Sequence, residues 1–65
     1  MMEQTLVLNA SYEPLRIVPW QRAITLLWLD KVEVVESYDQ RIHAPSFSMA
    51  IPAVIRFLHL VKRWH

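Results

Sequence analysis

The sequence predicts a small α+β domain in the order β-β-α-β-β-α, with antiparallel strands and a last element that is either helix or strand. Three observations carry this. Leu6–Leu8 and Leu15–Val18 are two short apolar runs flanking a connection that carries Asn, Ser and Pro. An apolar stripe of helical period follows Pro19, and a β-prone stretch follows the helix. Sixty-five residues hold one domain, residues 1–65, and a chain of this size buries only about 60% of its unfolded surface. With no Cys, neither disulfides nor thiolate zinc sites can staple it. Yet 54% of its residues are apolar and three are Trp. Surplus apolar surface of that kind marks partner contacts, so a homo-oligomer is expected, a dimer first.

The elements follow in order. In residues 4–9 Leu6 and Leu8 point one way and Thr5 and Val7 the other, as a half-buried strand requires. Asn9 and Ser11 can bond nearby backbone and end the strand, and Pro14 fixes φ at the exit of a six-residue loop. Leu15–Val18 then pairs back in antiparallel fashion. Pro19 suits a first helical position, where its missing N–H costs nothing. Trp20, Ala23, Ile24 and Leu27 recur at i, i+3, i+4 and i+7, with Gln21, Arg22 and Thr25 opposite. Trp28 and Leu29 widen the apolar surface beyond one sheet contact. Either they cap the edge of the core or, with Trp20, they form a subunit interface.

Asp30-Lys31 closes the helix without glycine, and Val32-Glu33-Val34-Val35-Glu36 is β-prone. Tyr38-Asp39-Gln40 is expected to turn the chain, with Arg41–Ala44 as the returning arm. Pro45 interrupts that arm and implies an edge position or a bend. Extended character resumes where Phe47, Met49 and Ile51 alternate with Ser46, Ser48 and Ala50. From Pro52 a stripe of Val54, Ile55, Leu58 and Val61 favours a helix over residues 52–62. The β-branched Val54-Ile55 pair and the alternation of Ile55 and Phe57 with Arg56 and Leu58 keep a strand open.

Charge is unevenly placed. Residues 1–40 carry Arg16, Arg22 and Lys31 against Glu3, Glu13, Asp30, Glu33, Glu36 and Asp39, a balance of −3. Residues 41–65 carry Arg41, Arg56, Lys62 and Arg63 with no acid, a balance of +4. In the basic segment 56–65, the side chains of Arg56, Lys62, Arg63 and Trp64 combine cations with an aromatic, a set that can grip a nucleic-acid backbone. An ordinary solvated helix end would look the same.

The remaining chemistry is sparse. His59 and His65 lie about 120° out of phase on a helix, and His43 is remote, so no metal box forms and no cofactor is expected. Glu33 and Glu36, on opposite faces of a regular strand, read as solvated edge charges rather than an acid–base pair. Without Gly there is no phosphate-cradling loop. The longest apolar run, Leu26–Leu29, is far short of the roughly 20 residues that span a bilayer. The N-terminus lacks a basic leader, and a cytoplasmic protein is expected.

The ordered set Leu6-Val7-Leu8-Asn9-Ala10-Ser11-Tyr12-Glu13-Pro14-Leu15, Trp20 with Arg22-Ala23, Val32-Glu33-Val34-Val35, Pro45-Ser46, and Ile51-Pro52 with Val54-Ile55-Arg56 resembles the N-terminal region of a bacterial branch of HNH endonucleases. In that family the region precedes a basic linker and a nuclease module, where paired Cys motifs hold a structural zinc and a His-Asn-His set holds the catalytic metal. The chain stops at His65, has no Cys, and has Asn9 as its only Asn. No catalytic or metal-binding position carries over. The resemblance implies a non-catalytic role in a nuclease, in assembly or in positioning nucleic acid. The alternatives from other classes are a protein-interaction module that never meets nucleic acid, and an enzyme whose site is assembled across subunits.

Overall fold

The computed structural model describes residues 3–60. Five elements follow one another: β1 (Gln4–Leu8), β2 (Pro14–Pro19), α1 (Trp20–Trp28), β3 (Val32–Ala44) and β4 (Phe47–Phe57). The strands form one sheet in the order β2-β1-β4-β3. The β1/β2 pair is antiparallel, as expected. The β3/β4 pair is antiparallel too, but it is not the expected hairpin, whose two arms, Val32–Glu36 and Arg41–Ala44, both lie within β3. Strands β1 and β4 run parallel, with Leu6, Val7 and Leu8 opposite Val54, Ile55 and Arg56. The sheet is therefore mixed. The β1/β2 hairpin is legible in the sequence, whereas the pairing of a first strand with a last one has no local signal.

The core lies between α1 and one face of this sheet. Cross-strand partners share a face. Val7 is opposite Ile55, which is itself opposite Val34, and Val32 is opposite Phe57. Val7, Val18, Val32, Ile55 and Phe57 close on Ala23 of α1, with Leu15, Leu26 and Leu27 packed against them. On the other face Leu6 joins Ile17 and Val54 in a row, and Leu8 joins Arg56 and Glu33. Among the described residues no helix covers that second face.

Two expectations about the C-terminal half are corrected. Tyr38-Asp39-Gln40 does not turn the chain; β3 runs through it for 13 residues, and the turn falls at Pro45-Ser46. The three residues instead form a bulge, because Ser37 faces Pro52 and the next pair is Arg41 with Ala50. No helix begins at Pro52 either, since residues 52–57 are the end of β4 and Leu58–Leu60 have no regular structure. The period of two prevails there because Ile55 and Phe57 must both face α1. Proline is normally excluded from a strand flanked on both sides. Here it is tolerated because β1 pairs with β4 only from Val54 onward and β3 bulges opposite. Two hydroxyls take over where the ladder is interrupted. The fully buried Thr5 donates to the Pro52 carbonyl at 2.7 Å, and Tyr38 reaches across to the Gln4 carbonyl at 2.6 Å.

A second bulge, at Val35, changes the reading of the acids. Glu33 faces Arg56 and Glu36 faces Val54, two positions on the same side of β4. Glu33 and Glu36 thus share a face rather than opposing one another, because the extra residue restores their phase.

Candidate functional site

The segment Asn9–Glu13 and the side chain of Arg56 form the best-defined polar constellation. The Tyr12 N–H donates to the Asn9 carbonyl and the Asn9 N–H to the Glu13 carbonyl, both at 2.8 Å. This is a three-residue hairpin loop whose last residue, Tyr12, sits at φ 70° in the left-handed region. The Asn9 carboxamide oxygen accepts from the Ala10 N–H at 2.8 Å, which pins the first corner. The residue that the β1/β2 register leaves over, Leu15, turns onto the core. The loop is thus tighter than its six-residue spacing implied.

Arg56, at the far end of the chain, closes this loop. Its Nε donates to Glu33 Oε2 at 2.8 Å, and Nη2 meets the same oxygen at 2.6 Å. Its Nη1 donates to the Ala10 carbonyl at 2.8 Å, and the guanidinium carbon lies 4.8 Å from the centre of the Tyr12 ring. The Glu33 hydrogen bond, partly offset by burial, raises the Arg56 pKa further above its already high ordinary value. The cation is fixed in charge and in place, and its side chain is only 20% exposed. Three elements, β1 through its loop, β3 and β4, meet on one guanidinium.

Of the residues expected to touch nucleic acid, Arg56 is thus engaged within the fold, and Lys62, Arg63 and Trp64 lie outside the described residues. Of those expected at a subunit interface, Trp20 is half-buried, with its indole N–H enclosed and without an acceptor among the described residues. Trp28 and Leu29 are 67% and 58% exposed. Eight helical steps, about 12 Å, separate Trp20 from Trp28. What Leu29 does join is a pocket of about 350 Å³ at the C-terminal end of α1, lined also by Asp30, Lys31, Phe57, His59 and Leu60. Leu58 is tied beside it through its N–H to the Lys31 carbonyl at 3.0 Å, and both Leu58 and Leu60 are exposed. Sequence reasoning placed Leu58 on a buried helical stripe and missed Leu60 altogether; the end of β4, not a helix, brings them here.

Among the described residues no group of three or more His, Asp or Glu could hold a metal ion. No helix among them is long and apolar enough to cross a membrane.

The family model for the N-terminal domain of HNH endonuclease-associated proteins matches residues 5–65. The chain belongs to this family. The match spans the hairpin loop, Glu33 and Arg56, so the whole constellation lies within the HNH endonuclease-associated domain. No curated protein and no solved structure matches the chain.

Proposed function

We propose that this HNH endonuclease-associated domain is a cytoplasmic, non-catalytic assembly unit that docks onto an HNH-type nuclease through the apolar end of α1. The observation that carries this is the pocket at the end of α1 lined by exposed Leu29 and Leu60, whose chain neighbours Trp28 and Leu58 are exposed as well. Exposed apolar groups gathered in this way mark contact sites, and buried aromatic anchors dominate the energetics of such contacts. Calorimetric titration of the chain against an HNH nuclease module of the family tests it. Leu29→Lys should weaken the complex at least about tenfold, the effect of removing one desolvated apolar side chain from an interface. Unchanged affinity for that variant would refute the docking face.

A second role, leading DNA along the basic segment, rests on the cations of residues 56–65. The Glu33–Arg56 pair bears on how many of them count. If Arg56, Lys62 and Arg63 all met phosphates, the salt slope would be about −2.7, roughly a 40-fold loss of affinity between 50 and 200 mM salt. With Arg56 held by Glu33, two contacts give a slope of about −1.8 and a loss of roughly 12-fold. Fluorescence anisotropy with a short duplex separates the two. The expected result is the shallower slope, unaltered in Arg56→Ala and abolished in Lys62→Ala with Arg63→Ala. No binding at low salt would leave a module that contacts protein only.

A further inference from the structure

The two edges of the sheet differ. The β2 edge is six residues long with proline at both ends, Pro14 and Pro19, so two of its positions have no N–H to offer. The β3 edge is 13 residues long and carries no proline. Most of its side chains are exposed, Val34, Val35 and Tyr38 among them. Among the described residues no strand lies beyond it. The bulges at Val35 and Tyr38–Gln40 and the charges along β3 blunt this edge. Yet no proline, helix or further strand closes it among the described residues, and an uncovered edge of this length can still pair with a strand of complementary charge.

The order of charges along β3 selects the partner. Glu33, Glu36 and Asp39 occupy its first part, and Arg41, with His43 two residues on, its last part. A parallel neighbour of the same sequence would set acid beside acid. An antiparallel copy related by a two-fold axis near the middle of β3 sets the Glu36 half of each strand against the Arg41 half of the other. Opposite charges facing each other across strands are favourable, directly or diagonally, and like charges are not. Among the described residues Glu36 makes no ion pair and the Arg41 guanidinium uses only its Nε, on Ser48 Oγ at 3.3 Å. Both remain available to a partner.

We infer that two copies of this domain associate through their β3 edges, antiparallel, to make one continuous eight-stranded sheet. The inference deepens the assembly role proposed above by naming a second copy as a partner, and it uses a different surface from the α1 end.

Light scattering on the full chain at high micromolar concentration tests it, with Glu36→Arg and Arg41→Glu made separately and checked for fold by circular dichroism. The wild type should run at twice its 7.7 kDa mass and each variant at 7.7 kDa. An equimolar mixture of the two variants should return to the dimer mass, because each contact of the two-fold then again pairs one acid with one cation. A wild-type monomer would overturn the inference, as would variants that stay dimeric alone or a mixture that stays monomeric. Leu29→Lys should leave the dimer mass unchanged. That result separates this edge from the docking face at α1, whose own test reads nuclease binding.

Discussion

Replacing Asp30 with glycine should stabilise the domain. Helix α1 ends on Leu29, and the chain leaves through Asp30 at φ 57°. The Asp30 N–H donates to the Leu27 carbonyl at 3.0 Å and the Lys31 N–H to the Leu26 carbonyl at 3.2 Å. Those are the two bonds of a Schellman cap, whose left-handed position is usually glycine. For a residue with a Cβ that conformation costs roughly 1–2 kcal/mol, at the low end for Asp, which tolerates it better than most. Glycine returns roughly 0.5–1 kcal/mol of this as unfolded-state entropy. The carboxylate also sits at the negative end of the helix dipole, and removing it adds about 0.3–1 kcal/mol. The net expectation is a gain of about 0.5–1 kcal/mol, or roughly 2–8 °C in Tm for a domain of this size. Thermal unfolding followed at 222 nm measures it. Asp30→Asn, which keeps the left-handed tolerance and drops the charge, should fall between wild type and glycine, and Asp30→Val should lie below wild type. A Tm for Asp30→Gly at or below wild type would refute the account of this cap.

Three more outcomes follow from the core and the loop. Thr5→Val keeps the shape of a fully buried side chain but removes the donor to Pro52, and should lower stability in urea unfolding by about 1–3 kcal/mol, the cost of an unsatisfied carbonyl. No change would mean that the Pro52 carbonyl finds water. Ile55→Ala removes a fully buried side chain that touches both β1 and β3 in register. At about 2–5 kcal/mol it should consume nearly all the stability that a core this small supplies, leaving a chain with an unfolded amide spectrum at 25 °C; a retained folded spectrum would contradict that. Arg56→Lys keeps the charge but cannot span Glu33, the Ala10 carbonyl and the Tyr12 ring together. A lower Tm and a changed near-ultraviolet tyrosine signal are expected, and an unaltered spectrum would show that the contact does not order the loop.

How much of this was legible in the sequence depended on range. The β1/β2 hairpin and α1 were readable because Pro14, Pro19 and the apolar periods act within a few residues. The continuation of β4 through Pro52 was not, since a proline after an apolar residue usually opens a helix. Only the bulge opposite it and the late start of β1 pairing make it compatible with a strand. Glu33 and Arg56 stand 23 residues apart, so a composition argument sees an acid and a cation, each free for solvent or phosphate. The parallel register that sets Arg56 beneath the Ala10 carbonyl turns them into an internal tie. Trp20, Trp28 and Leu29 were recognisable as surplus apolar residues, but the partners of Leu29 came from the end of β4, which sequence periodicity had assigned to a helix.

The parallel contact between β1 and β4 also fixes when the domain can exist. Leu8 leaves the ribosome about 49 residues before Phe57, and at the usual 5–20 residues per second that is roughly 2–10 s. During that interval Val7 has no Ile55 to cover it and the hairpin must persist as a nascent fragment. Two-stranded hairpins are marginal in water, so β1 and β2 wait as exposed apolar chain until the last strand arrives. Completion is all at once, on arrival of β4. That interval, before any finished surface can bind, is the stage at which aggregation and proteolysis compete with folding.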